Sequence, residues 1–186
     1  MRAWLLVCAC LVAVVVAHGA SAGRSTQGVP ACHAFKRATV VGVIGKLTHT
    51  RPGAGLYTLQ YWLSGGAPAS YKPAQWSACE LYGSAARAMI LSVSLGRWTT
   101  APAALAAFGY INSTLAADGS PCAQVTIGSA SVCVYNGPKL AAIHQTLLVA
   151  ASDTLVFTLD LGQFRGAGSP SQRQATLLRL ARKLIG

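Results

Sequence analysis

Acidic side chains are almost missing. Glu80, Asp118, Asp153 and Asp160 are the only four, against 15 Lys and Arg, and the 186 residues carry a formal charge of +11. Catalysis by paired carboxylates therefore has little to draw on. Asp118-Gly119 and Asp153 read as turn residues, and Asp160 falls on the outward side of an alternating strand. Nucleotide and metalloprotease signatures are absent too: there is no GxGxxG, Walker A or HExxH. No CxxC or Cys/His metal spacing occurs, which disfavours redox catalysis and structural zinc. No cofactor, metal or catalytic residue is expected. His33, His49 and His144 follow the N-terminal region without metal or catalytic spacing. Gly19-Ala20-Ser21-Ala22-Gly23 matches the GxSxG elbow letter for letter, but without the strand-turn-helix setting that makes the motif work.

Long apolar runs are also lacking, with one exception. Ala3 to Ala17 are uninterruptedly apolar behind Arg2, and Ala20 and Ala22 follow at the positions a signal peptidase reads. A signal peptide over residues 1–22, cleaved before Gly23, is expected. Fifteen helical residues reach about 22 Å, short of the roughly 30 Å hydrocarbon core of a bilayer. Cys8 and Cys10 lack the flanks of a lipid attachment site, so release outside the membrane is expected instead of anchoring. Cleavage takes Arg2 and none of the acids, so the mature chain stays strongly basic and suits anionic surroundings.

The remaining cysteines, Cys32, Cys79, Cys122 and Cys133, are even in number in an oxidising compartment. Two disulfides are expected. Of the three pairings, Cys32 with Cys79 and Cys122 with Cys133 is favoured, because the second pair brackets a short strand-turn-strand stretch.

Along the chain, residues 23–30 read as a flexible leader and residues 31–186 as one domain. A first helix is expected from Ala31 to Ile44, with Gly45 to stop it. Leu56 to Leu63 and Met89 to Leu95 alternate as strands, while Thr48 to Gly55 and Ser64 to Ser70 carry Pro and Gly and read as loops. Thr100 can cap an Ala-rich helix. Val125 to Ile127, Val132 to Tyr135, Thr146 to Ala150 and Thr154 to Leu161 form a run of short strands, the last with one apolar and one mixed side. Ser169, Pro170 and Gln172 open a final helix to Ile185, with an apolar stripe at Leu177, Leu180, Ala181 and Leu184. Arg173, Arg179, Arg182 and Lys183 are assigned to its other side. The fold class is α+β: a mostly antiparallel sheet with one face covered by helices, including this C-terminal amphipathic helix.

The stretches ACHAFKRATVVGVIG, SACELYG with MILSVSL, and TLVFTLDL through ATLLRLARKLIG carry a resemblance. The plan resembles secreted proteins and lipoproteins of high-GC Gram-positive bacteria, with a cysteine-bearing first helix, a second cysteine opening a strand, a meander and a basic C-terminal helix. The resemblance implies a PsbP-like or cystatin-like domain with no catalytic residues to carry over. The chain departs from it in lacking the lipid attachment motif and in adding Cys122 and Cys133.

Two surfaces stand out as candidate sites. Tyr57, Tyr61, Trp62, Tyr71, Trp76 and Tyr82 concentrate aromatic surface, and Tyr61, Trp62 and Trp76 are the candidates for gripping a ligand. Arg179, Arg182 and Lys183 are the candidates for contact with an anionic surface. A non-enzymatic secreted binding module is the leading expectation. The alternatives are a hydrolase using His144 or an acid, and a structural envelope protein held by charge. The expected partners are anionic envelope polymer, lipid headgroups or a peptide, and not nucleic acid. Asn112-Ser113-Thr114 is a glycosylation sequon, relevant only to a eukaryotic secretory route.

Overall fold

The computed structural model describes residues 30–54, 58–64, 66–84, 89–136, 145–163 and 169–186, apart from the side chains of residues 89 and 163. The expected signal peptide, the GxSxG match, Tyr57 and His144 lie outside the described residues. Seven strands form one antiparallel sheet: β1 (His49–Pro52), β2 (Gln75–Tyr82), β3 (Met89–Arg97), β4 (Ala123–Ile127), β5 (Ala130–Tyr135), β6 (Gln145–Ser152) and β7 (Leu155–Gln163). Their order is β1-β2-β3-β7-β6-β5-β4. Two meanders, β1 to β3 and β4 to β7, thus meet at the β3–β7 pair, which runs from Met89 opposite Gln163 to Arg97 opposite Leu155.

Helix α3 (Ala101–Ala117) carries the chain from the first meander to the far edge, where β4 begins. Thr100 caps it, its side chain accepting from the Ala103 amide at 3.3 Å, and Pro102 sits in the first turn. Gly109 does not end this helix: burial of Ala107, Phe108, Ile111 and Leu115 on either side of it outweighs the roughly 1 kcal/mol cost of glycine in a helix. Helix α4 (Pro170–Ile185) opens with the expected capping box: the Gln172 amide donates to Ser169 Oγ and the Ser169 amide to Gln172 Oε1.

The α+β fold with a C-terminal helix over the sheet is as expected. Helices α1 (Arg37–Ile44) and α4 cover one face, over a core that includes Val40, Ile44, Leu91, Val93, Phe157, Leu159, Leu177 and Leu180. The opposite face is covered as well. There α2 (Leu59–Ser64) and α3 bury Leu59, Trp62, Ala107, Phe108 and Ile111 against Leu147, Val149 and Val156. Strand β7 is therefore interior on both sides, and Asp160, expected to point outward, is only 3% exposed.

Three local expectations are corrected. The first helix is not continuous: a 3-10 turn at Ala31–His33 precedes α1, with Lys36 extended between them. Cys32 is bonded to Cys79 and the Ala31 amide donates to Ser77 Oγ, so the turn is held to β2 and cannot continue the helix axis. The expected strand Leu56–Leu63 contains α2 instead. Leu59, Trp62 and Leu63 are buried at helical spacing, the Thr58 side chain accepts from the Tyr61 amide, and the Leu59 amide donates to Ser94 Oγ. Strand β1 lies in the expected loop Thr48–Gly55, with every residue exposed.

Candidate functional site

Strand β2 runs past the end of its outer neighbour. Its pairing with β1 stops at Pro52 opposite Cys79, so among the described residues no strand pairs with Gln75, Trp76 and Ser77 on that edge of the sheet. Trp76 is 42% exposed there and lines two grooves, the first on the α1 and α4 side of the sheet and the second on the α2 side. The first, of about 230 Å³, is lined by Gln75, Trp76 and Ser77 of β2, Arg97 at the end of β3, and Lys183 and Leu184 of α4, among others. The second, of about 250 Å³, is lined by Gln60, Leu63, Ser64, Lys72, Pro73 and Trp76. Each is smaller than the roughly 300–1,000 Å³ of a pocket that encloses a small molecule.

The linings are basic. Arg97 and Lys183 serve the first groove and Lys72 the second, and no acidic residue lines either. Low-dielectric walls with cations of one sign concentrate potential and favour an anionic ligand.

Two candidates that the sequence placed in separate groups both line the first groove, Trp76 from the aromatic set and Lys183 from the basic helix, although strand alternation turns the Trp76 side chain to the opposite face. The rest of those groups fall elsewhere. Trp62 is 7% exposed in the core beneath α2, because the helix turns it inward with Leu59 and Leu63. Tyr61 is 61% exposed, edge-on to the Trp62 ring at 4.9 Å, and lines neither groove. Arg179 and Arg182 are exposed on α4 and also line neither. Arg173 departs from the basic side altogether. It is buried with its Nε donating to Thr146 Oγ1 at 3.0 Å, and burial lowers its pKa. The spacing 173, 177, 180, 181 already places it on the apolar stripe.

The carboxylates assemble away from the grooves. Glu80, Ser92 and Asp160 lie side by side on β2, β3 and β7, all facing α2 and α3. Glu80 is compensated: Tyr82 donates its hydroxyl to Oε2 at 2.6 Å, and Arg51 stands 3.6 Å away. Arg51 also donates to the Tyr82 hydroxyl, and that bond leads the causes raising the Arg51 pKa. His49 stacks on the Tyr82 ring with centroids 4.0 Å apart. Asp160 has no such help. Its Oδ1 is buried without a hydrogen-bond partner, and burial, then the Glu80 charge, hold its pKa well above the usual carboxylate range. Tyr135 likewise has its hydroxyl pKa raised by burial, and donates to Asn112 Oδ1. The sequon asparagine is thus engaged inside the fold.

The structure joins Cys32 to Cys79 and Cys122 to Cys133. Paired cysteines of this kind belong to an oxidising, extracytoplasmic compartment. Among the described residues, no helix is long and apolar enough to cross a membrane, and no group of three or more His, Cys, Asp or Glu is placed to hold a metal ion.

No protein-family model and no curated protein sequence matches this chain. Among solved structures, the extracellular domain of PknH from Mycobacterium tuberculosis is similar over 81% of this chain and 90% of its own, at 10% identity and a TM-score of 0.47.

Proposed function

We propose that the protein is an extracytoplasmic binding module, non-enzymatic, whose ligand is held at Trp76. The observation that carries this reading is a half-exposed tryptophan on β2 that lines a groove on each face of the sheet, with cations in both linings. An exposed tryptophan offers a large apolar surface at little cost in conformational entropy, and the flanking polar groups supply orientation. Ser64 and Ser77 line the grooves, but among the described residues neither lining brings a histidine or carboxylate to activate a hydroxyl. The buried Glu80 and Asp160 line neither groove, which favours binding over hydrolysis.

A thermal-shift screen of sugars, organic anions, nucleotides and short peptides against the secreted protein tests the proposal. A ligand at a hundred times its dissociation constant adds about 2.7 kcal/mol, or roughly 5 to 11 °C for a domain of this size. Ligands that stabilise the wild type and leave Trp76→Ala unmoved support the site. Stabilisation that survives Trp76→Ala, or turnover of an ester, peptide or glycoside substrate, refutes it.

A further inference from the structure

We propose that the face built by α1 and α4 is a docking surface for an anionic lipid bilayer, on which the folded domain lies without crossing it. This does not rest on the reading of Trp76 as a ligand site.

The charges of the chain are sorted between the two sides of the sheet. Lys36 and Arg37 open α1, Lys46 follows its end, and Arg179, Arg182 and Lys183 stand on α4; all six are exposed. Both helices pack on one face of the sheet over a common core, so these side chains project from a single layer. None of the six is ion-paired among the described residues. The four acids of the chain lie elsewhere. Glu80 and Asp160 are buried toward α2 and α3, Asp118 is the C-cap of α3, and Asp153 is at the tip of the turn between β6 and β7. Helices α2 and α3 themselves contain no charged residue. The α1 and α4 face therefore has no carboxylate side chain to offset its cations, and its potential reaches outward to an approaching anion.

What α1 presents between its cations selects a bilayer over a soluble polyanion. From Ala38 to Gly45 the exposed residues are Ala38, Val41, Gly42 and Gly45, with Val41 at 40%. Thr39, the one polar residue of that stretch, is half-buried. Such a surface has no side-chain hydrogen bonds to offer a phosphate or sugar chain, and gives none up when pressed into the boundary between headgroups and acyl chains. Cations flanking an apolar stretch are the arrangement of a helix that lies in the interface plane. With eight residues α1 is about 12 Å long, which suits lying in that plane and is too short to span the hydrocarbon core. Helix α4 adds charge alone, because its apolar stripe is already packed on the sheet. Seated this way, the protein turns the α2 side, with the Trp76 side chain and the second groove, toward solution.

The test is co-sedimentation of the secreted protein, disulfides intact, with phosphatidylcholine vesicles containing increasing phosphatidylglycerol, at low and at physiological salt. Binding is expected to rise steeply with the phosphatidylglycerol fraction and to fall as salt rises. Arg179→Gln/Arg182→Gln and Lys36→Gln/Lys46→Gln are each expected to weaken it about tenfold or more, at roughly fivefold per cation. Val41→Gln is expected to weaken it about threefold by removing the apolar contact. Lys72→Gln, on the α2 side, and Trp76→Ala are expected to bind vesicles like the wild type, so this surface and the Trp76 site are read separately. Circular dichroism and intact mass verify that each variant is folded and oxidised, and soluble polyphosphate is titrated in parallel.

Failure to bind phosphatidylglycerol vesicles at low salt overturns the inference outright. Equal binding to pure phosphatidylcholine overturns the role of charge, and binding indifferent to the α1 and α4 substitutions overturns the face. Polyphosphate bound as tightly as the vesicles, with Val41→Gln without effect on either, overturns the bilayer as the occupant.

Discussion

Replacing Asp160 by Asn should stabilise this protein at neutral pH, and the gain should disappear in acid. Asp160 lies on β7 between β3 and β6, its nearest neighbours across the sheet being Ser92 and Leu147. It is covered by the layer of α2 and α3, faces no cation among the described residues, and feels the negative charge of Glu80 beyond Ser92. Burial comes first and Glu80 second in raising its pKa. An acid whose pKa is higher in the folded state binds more protons folded than unfolded, so its stability contribution is fully present below the unfolded pKa of about 3.9 and is lost as pH rises. The loss continues until pH passes the folded pKa.

The largest penalty at pH 7 is the free energy of holding an ordinary aspartic acid protonated there, about 4 kcal/mol at 1.36 kcal/mol per pH unit. Asparagine has nearly the same volume and no charge, but its amide leaves some hydrogen-bonding capacity unmet, at about 1 kcal/mol. A net gain of up to about 3 kcal/mol remains, or roughly 6 to 12 °C in Tm. Urea unfolding of wild type and Asp160→Asn, both with intact disulfides, at intervals from pH 4 to pH 8 measures it. The two stability curves should cross between about pH 4 and pH 5, below which the unmet amide leaves the variant slightly the less stable, and separate in its favour as pH rises. A variant less stable than wild type at pH 7, or a gain that does not change with pH, would refute the reasoning.

The other predictions concern packing, covalent links and the surface. Removing the Cys32–Cys79 bridge by double serine substitution should cost about 4 kcal/mol, and removing Cys122–Cys133 about 3, from loops of 47 and 11 residues, as read from urea unfolding. Gly96→Ala should destabilise by about 1 to 3 kcal/mol, since the new Cβ would stand 2.7 Å from Trp98 and 2.8 Å from Leu59. Gly109→Ala, at an open position of α3, should stabilise by about 0.5 to 1 kcal/mol, so thermal unfolding of the two variants must move in opposite directions. Trp62→Ala should cost about 3 to 5 kcal/mol as a core truncation. Trp76→Ala should change unfolding by less than about 1 kcal/mol, which denaturation curves separate cleanly.

How much of this was legible depends on how much each segment says about its own surroundings. Helix α4 declares itself through Ser169, Pro170, Gln172 and the Leu177-Leu180-Ala181 stripe, and β5, β6 and β7 through apolar alternation between turn residues. LYTLQYWL is ambiguous because Leu59, Tyr61 and Leu63 satisfy a period of two while Leu59, Trp62 and Leu63 satisfy a helix. The choice falls to tertiary contacts: the Thr58 cap and the Leu59 amide bonded to Ser94, a residue on another strand. Strand β1 is fully exposed and so carries no hydrophobic signal. Asp160 reads as outward-facing from β7 alone, because nothing in TLVFTLDL tells of a second helical layer. The site had the same problem. Trp62 and Trp76 look alike in sequence, and only the type of element under each decides that one is core and the other surface.

The covalent framework ties the compartment to the candidate site. Cys79 lies on β2 three positions from Trp76, and its bridge to Cys32 holds the 3-10 turn Ala31–His33 against that strand. Ser77 accepts the Ala31 amide at 3.1 Å while it lines the first groove, and Ala34, directly after the turn, lines the same groove. One wall of the groove is thus held in place by a bond that forms only under oxidising conditions. The Cys122–Cys133 bridge has no such position: Cys133 lies on β5 toward the opposite edge of the sheet, packed with the α2 and α3 layer. Both bridges stabilise the fold by similar amounts in the chain-entropy model, but only the first shapes the surface around Trp76. Stability and site integrity are therefore separable in this protein. Loss of either bridge weakens the fold, whereas loss of Cys32–Cys79 also releases the wall that sets Ser77 and Ala34 beside Arg97 and Lys183.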